Sequence, residues 1–450
     1  MPQTVPPAPN APTGPAMRSD KIAMALSTFT RMGTGIIVFV LMARYLGPDA
    51  FGLIASAMAT AALLGLIADY GLATYALREA GAHPPTATEL VRRALLVKLM
   101  ATALVSLLGL AGLVALHPTA QVVAIAVAVF AAQMLASFAD LAFVVVRAHR
   151  RFDIETRIVV VTSLVSLVVV GGVAALTRDV TACAMAFLAT RILYFAATLF
   201  GLRSFLLGPD PWPTQRAGLL DMVRRAASLA LDGVLTNLSN QIDVVMVGLL
   251  LGTASVGIYQ AGARLVQSIA PFAVILSSVY LPRLSAALRR GATAEATTLA
   301  RRLNLEFLAL ATLGFFGFAV LGPVWTRVVY GPAFAPLIAL WPGLACFVLF
   351  RFVTSSYGIQ LVALAEIPTR IGAQSAAIVT VVAGSALFLP IYGVAAAPWV
   401  LAASSLLPML AYGVVVARRI GNARIVAASL TWSLGLAALA LVFACGLISW

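Results

Sequence analysis

Thirteen apolar stretches follow one another along the chain, separated by short polar interruptions. They cover residues 22–44, 50–77, 92–116, 120–146, 155–176, 180–206, 226–251, 254–283, 303–329, 335–364, 370–390, 393–418 and 425–448. A helix that crosses the hydrocarbon needs about 20 mainly apolar residues. The runs are continuous rather than alternating with period two, which predicts membrane helices rather than the strands of a β-barrel. The longer runs imply tilt or kinking. The expected fold is an all-α polytopic membrane protein of about 12–14 transmembrane helices, the thirteenth run making the count odd.

Composition agrees. Of 450 residues, 62% are hydrophobic and only 10% charged, and the mean hydropathy is +1.01. Soluble domains are about 25% charged, so too few polar residues exist here to coat several water-soluble domains. The formal charge of +14 reads as topology. With residue 1 on the cytoplasmic side, the inner connections hold twenty-three Lys and Arg, including Arg92, Arg93, Lys98, Arg147, Arg151, Arg370 and Arg418. The outer ones hold Arg44, Arg178 and Arg327. That asymmetry is the positive-inside pattern, and no nucleic-acid partner is needed to explain it.

Residues 1–20 read as a disordered cytoplasmic tail, being rich in Pro, Ala and Thr up to residue 16. Residues 21–206 form an N-lobe of six spans, and 207–225 a cytoplasmic linker with the elbow Gly208-Pro209-Asp210-Pro211-Trp212-Pro213. Residues 226–418 form a C-lobe of six spans, and 419–450 an additional one. The halves look like copies. Leu46-Gly47-Pro48-Asp49-Ala50-Phe51-Gly52 and Leu251-Gly252-Thr253-Ala254-Ser255-Val256-Gly257 share the pattern L-G-x4-G at the first outer turn of each half. An even number of spans per half makes them parallel repeats around a central cavity, an architecture that places a substrate between the lobes.

Charges inside the spans are the candidate chemistry, because an ionisable group at mid-bilayer costs about 2.5–3.5 kcal/mol on insertion scales. Arg31, Arg191, Arg264 and Arg351 fall near the middle third of their helices, and Asp243 is the one acid at similar depth. Arg264 either pairs with Asp243 or joins the other three in a hydrated cationic cavity. Planar guanidinium forks suit phosphate, so such a cavity fits an anionic, phosphate-bearing substrate. Asn237, Ser239, Asn240 and Gln241 precede Asp243, and this polar cluster either holds helices together or meets sugar hydroxyls. Asp69, Asp140, Asp232 and Glu306 lie nearer the inner ends. Asp69 and Asp243 are candidates for coupling or gating, against the plainer reading of interface-anchored ion pairs.

Other chemistries find no support. Cys183, Cys346 and Cys445 sit in apolar runs and read as small hydrophobes. The three histidines lie in or beside loops and suggest no metal cluster. No nucleophile–base set, paired catalytic carboxylates or phosphate-binding glycine loop is present, and the outer connections are too short to house a polymerase or ligase site. The expectation is a protein that is no enzyme and needs no cofactor beyond coupling to protons, cations or membrane potential.

The segment Met42-Ala43-Arg44-Tyr45-Leu46-Gly47-Pro48-Asp49-Ala50-Phe51-Gly52-Leu53, with Ile67-Ala68-Asp69-Tyr70-Gly71-Leu72 and Arg78-Glu79, resembles the opening hairpin of Wzx-type oligosaccharide flippases. These form the polysaccharide-synthesis branch of the multidrug/oligosaccharidyl-lipid/polysaccharide exporter superfamily. Asn240-Gln241-Ile242-Asp243, Gly257-Ile258-Tyr259, Tyr280-Leu281-Pro282-Arg283 and Val329-Tyr330-Gly331-Pro332 resemble the family's second half. The resemblance implies a bundle in the bacterial inner membrane that turns a polyprenyl-pyrophosphate-linked oligosaccharide from the cytoplasmic to the periplasmic leaflet by alternating access. Its partners would be that lipid-linked oligosaccharide, membrane lipids, and the polysaccharide polymerase and chain-length machinery. A cation-coupled multidrug exporter of the same fold is the rival, and it favours an acidic, aromatic cavity.

Overall fold

The computed structural model describes residues 15–82, 86–116, 119–206, 222, 224 and 234–448. Among these the regular elements are helices and no strand is formed. The N-lobe comprises α1 (Pro15–Asp69), α2 (Leu72–Ala82), α3 (Ala87–Leu116), α4 (Ala120–Ala148), α5 (Phe152–Thr177) and α6 (Val180–Gly201). The C-lobe begins with α7 (Val234–Leu251) and continues through α8 (Thr253–Gln267), α9 (Ala270–Arg289), α10 (Thr293–Trp325), α11 (Trp341–Ala363), α12 (Ile367–Tyr392) and α13 (Ala397–Ile420). A further helix, α14 (Ala423–Ile448), follows.

Eleven of the described helical stretches are long and apolar enough to cross a membrane. Two of them are double. The stretch Met24–Asp69 has 46 residues and Ile367–Ile420 has 54, which at 1.5 Å per residue is more than twice the roughly 30 Å of hydrocarbon. In α1 the reversal falls at Gly47. The rings of Phe39 and Phe51 lie 4.6 Å apart, whereas along a straight helix their separation would be roughly 18 Å. The second stretch turns at Gly393, between α12 and α13. Counting each of these two stretches twice gives thirteen segments of membrane-spanning length among the described residues, as many as the apolar runs of the sequence.

Gly47 has φ 77° and ψ 172°, and Gly252, between α7 and α8, has φ 81° and ψ −178°. A Cβ all but closes this region of backbone space. The repeated L-G-x4-G pattern therefore places one residue type where one turn geometry demands it. The second glycine of each copy does something different. A Cβ on Gly52 would lie 1.8 Å from the carbonyl oxygen of Thr253, and one on Gly257 would lie 1.9 Å from that of Pro48. Gly47 and Gly252, Pro48 and Thr253, and Gly52 and Gly257 are each 205 residues apart in sequence. The two contacts are thus the same contact made twice, related by the pseudo-twofold of the repeat.

Among the described residues, hydrogen bonds join the lobes at this end. Thr253 Oγ1 donates to Asp49 at 2.6 Å, and Arg44 donates to the carbonyls of Val328 and Val329 at 3.1 and 3.0 Å. Phe51 meets Phe334 edge-on at 6.4 Å. The lobes are clasped at the Gly47 end, and the arginine-lined cavity described below lies on the far side of the clasp.

The structure departs from the sequence expectation at the start of α1 and at three breaks inside expected spans, where polar residues or a glycine stand. Helix α1 starts at Pro15, so residues 15–20 of the expected tail are helical, while 1–14 lie outside the described residues. Most of the 207–225 linker, with Arg216, and Asp232 also lie outside them. The expected continuous span 50–77 breaks at Tyr70 and Gly71, which both have positive φ. The span 254–283 breaks after Gln267. Helix α7 is interrupted at Asn240 and Gln241, whose amides bond three residues back, to Asn237 and Leu238, rather than four. The additional helix α14 lies against the C-lobe, with Trp432 Nε1 donating to Thr312 at 3.0 Å and Ser429 bonded to Tyr357.

The close approach at the clasp makes a prediction. Gly257→Val cannot retain a 1.9 Å approach and must push the two hairpins apart. A spin-label pair on Ala50 and Ser255 should then report an interlobe distance several ångströms longer than in the parent protein. An unchanged distance would count against a clasp built on those glycines.

Candidate functional site

Three of the four nominated arginines share a cavity. Arg31 from the first limb of α1, Arg191 from α6 and Arg264 from α8 line a space of about 160 Å³ between the lobes, together with Gln241, Gln260 and Gln133. Its walls toward the clasp are Phe39, Met42, Ala55 and Met58. No Asp or Glu is among the described residues that line it. Ser163, Ser166 and Thr34 supply hydroxyls, so this is a polar chamber with an apolar roof.

The three guanidinium groups differ in what holds them. Arg31 donates to both oxygens of Asp140 on α4, at 3.0 and 3.2 Å, and to Tyr194 at 3.2 Å. Tyr194 in turn donates to Asp140 at 2.8 Å. The sequence reading left Arg31 without an acid because Asp140 was placed nearer the end of its helix. An arginine side chain is longer than that difference in depth. The pair is far from sealed, with side-chain exposures of 38% and 42%, and so keeps access to the chamber.

Arg191 and Arg264 have no ion pair among the described residues. Arg191 lies over the ring of Phe187 at 4.9 Å. Arg264 lies over Phe39 at 5.1 Å and makes one long hydrogen bond, 3.4 Å, to Gln267. A ring face stabilises a cation by about 0.5–2 kcal/mol, which does not match a counter-charge. The alternative pairing of Arg264 with Asp243 is not formed. Asp243 is buried and accepts from Tyr259 at 2.5 Å, across the Gly252 turn, while its Oδ1 has no partner among the described residues. Counting Asp140, the chamber carries three cations against one carboxylate.

Arg351 is elsewhere. It lines a second cavity of about 340 Å³ inside the C-lobe, with Asn240, Ser239 and Thr236 of α7 and Arg370 of α12. Its Nη2 donates to Asn240 Oδ1 at 3.3 Å. The break in α7 separates the two spaces, since Asn240 lines one and Gln241 lines the other. Irregular backbone at membrane depth is tolerated where it lines a cavity. Asn237 is exposed and is not among the residues lining either space.

Most of the basic residues assigned to inner connections stand inside helices, and two of them, Lys98 and Arg370, matter to the interior. Lys98 is 1% exposed, ion-paired to Asp69 and bonded to Ser137 at 2.7 Å. Arg370 stands in the first turns of α12. Both were hidden because a charge near a span end looks like a loop charge until the helix is seen to start earlier, at Ala87 for α3 and at Ile367 for α12. Asp69 thus has a structural partner. Glu306 accepts from Tyr280 at 2.5 Å rather than from a loop arginine. Sequence reasoning named Asp140 only as an acid near the inner ends, and it missed Tyr194, Gln133 and Gln260. The isolated amides Gln133 and Gln260 in apolar runs were the available signal for the last two.

This geometry is that of a two-lobed membrane-transporter fold with a cationic chamber between the lobes. The chain belongs to the polysaccharide biosynthesis protein family, whose model matches residues 18–288. Its fold is similar to those of solved transporters of the MOP superfamily. The lipid II flippase MurJ in an inward closed conformation superposes with a TM-score of 0.67 at 13% identity, covering 95% of this chain and 98% of that one. A multidrug resistance MATE family transporter in an inward-facing conformation gives 0.63 at 14%, covering 94% and 98%. A MOP superfamily transporter from Pyrococcus furiosus gives 0.55 at 14%, covering 96% and 99%. No curated protein sequence matches the chain.

The Asp69–Lys98 pair makes an asymmetric prediction. Asp69→Leu leaves a fully buried ammonium unpaired and should destabilise the protein by about 3–5 kcal/mol. Lys98→Met leaves a carboxylate that is still 28% exposed and can hydrate, so its loss should be smaller. Unfolding in detergent measures both, and equal losses would contradict the burial argument.

Proposed function

We propose that the protein is a flippase that moves a polyprenyl-pyrophosphate-linked oligosaccharide from the cytoplasmic to the periplasmic leaflet of the bacterial inner membrane. The product would feed O-antigen, capsule or exopolysaccharide synthesis through polymerase and chain-length machinery. The observation that carries this reading is the convergence of Arg31, Arg191 and Arg264 on one interlobe chamber with no Asp or Glu among its described lining residues, Asp140 reaching only Arg31. A pyrophosphate crossing roughly 30 Å of hydrocarbon needs such a stopping place, and two parallel hydrogen bonds per guanidinium suit its oxygens. The polyprenyl tail stays in lipid while the head group passes between the lobes.

The positive-inside pattern supports a cytoplasmic N-terminus, which would make the clasped Gly47 end periplasmic and leave the chamber facing inward, ready to load. Release then requires the glycine contacts to part. Asp243, with one oxygen bonded to Tyr259 and the other unpartnered, is the candidate for coupling to protons or cations. The cationic excess disfavours the multidrug-exporter reading, since a cationic drug would meet three arginines.

The test is replacement in cells that depend on the gene. Arg191→Gln and Arg264→Gln should each lower surface polysaccharide about tenfold or more at normal protein level, as loss of one partner from a desolvated charge pair costs about 2–5 kcal/mol. Arg31→Gln should do less, because Asp140 already neutralises part of its charge. Normal output from all three variants would remove the chamber from the mechanism.

A further inference from the structure

The C-lobe cavity is the larger of the two spaces and is not absorbed by a pyrophosphate site. It holds Arg351 and Arg370, and no Asp or Glu is among the described residues that line it. At about 340 Å³ it falls at the lower end of small-molecule sites, roughly 300–1,000 Å³. The remaining polar lining is made of hydroxyls and amides, notably Asn240, Ser277, Ser355 and Gln374. Such groups both donate and accept, as sugar hydroxyls do. Gln374 Nε2 donates to Thr236 at 3.3 Å, while its Oε1 has no hydrogen-bond partner among the described residues. Arg351 spends one of its five donors on Asn240.

We propose that this cavity is a glycan subsite that takes a negatively charged sugar unit, so that the oligosaccharide carried is acidic. The inference rests on the flippase reading and adds to it the charge of the glycan. Three observations carry it together: the Arg351 guanidinium with no carboxylate among the residues around it, the unpartnered acceptor of Gln374, and the position of the cavity. Asn240 and Gln241 are neighbours in the broken turn of α7, and each lines a different space. A head group with its pyrophosphate against Arg191 and Arg264 therefore has its sugars beside the C-lobe cavity. A neutral sugar leaves the Arg351 charge uncompensated in a low-dielectric wall, whereas a carboxylate accepts from its fork and neutralises it.

The experiment uses the full-length protein in an uncharged detergent and measures binding of trigalacturonate and of its neutral methyl ester. The acid should bind about tenfold or more tightly than the ester. Arg351→Gln should abolish that preference while leaving the affinity for inorganic pyrophosphate unchanged, and Arg351→Lys should keep part of it. Arg264→Gln should do the reverse, weakening pyrophosphate and sparing the acid preference. Equal affinity for acid and ester, no binding of either, a preference that survives Arg351→Gln, or glycerol phosphate competing as well as the acid would each overturn the subsite. The last would mark a lipid-headgroup site instead. Pyrophosphate binding that ignores both Arg191→Gln and Arg264→Gln sinks the interlobe reading, and the acid–ester comparison stands apart from it.

Discussion

A guanidinium group inside a bilayer must be given water, a counter-charge or both. Hydrocarbon offers neither, and the cost of an unsatisfied cation there is several times RT. Three such groups in one protein mean that the lobes must hold a hydrated space open between them. The architecture answers that requirement. Arg31 meets Asp140 and Tyr194 while staying half-exposed, and Arg191 and Arg264 rest against the rings of Phe187 and Phe39. The charges of Arg191 and Arg264 are held without a counter-charge among the described residues.

The clasp supplies the complementary constraint. A space between two lobes has to be closed at one end, and here closure uses backbone instead of side chains. Gly52 and Gly257 let the hairpins approach until a carbonyl oxygen occupies the place where a Cβ would stand. Close approach of this kind gains van der Waals contact with little side-chain entropy lost, as small residues do at membrane helix interfaces. The contact is reciprocal because the halves are copies, so closing one half of it closes the other. The few added bonds, from Arg44 and Thr253, are exposed ones that water can replace.

Some of this was legible from particular residues. The L-G-x4-G pair named both the turns and their equivalence, since a backbone conformation that excludes Cβ leaves a mark on the sequence. Depth along a helix found Arg31, Arg191 and Arg264, because a charge in an apolar run stands out. The same reasoning failed for Lys98 and Arg370, which lie near helix ends where loop and span look alike. It also failed to divide Arg351 from the other three, because depth fixes only one coordinate of a side chain. Which helix lies beside it, and so which cavity it enters, depends on the packing of α7, α11 and α12 against one another.

The chain by itself determined that it is a helical membrane protein of about 12–14 spans, where its halves repeat and which charges lie deep. These follow from hydropathy, span length and glycine stereochemistry, which act locally along the polypeptide. Only the tertiary structure decided that Asp140 neutralises Arg31, that Asp243 turns to Tyr259 and not to Arg264, and that two cavities flank the break at Asn240 and Gln241. Those outcomes depend on distances between helices far apart in sequence, and hydropathy carries no term for which face of one helix meets which face of another.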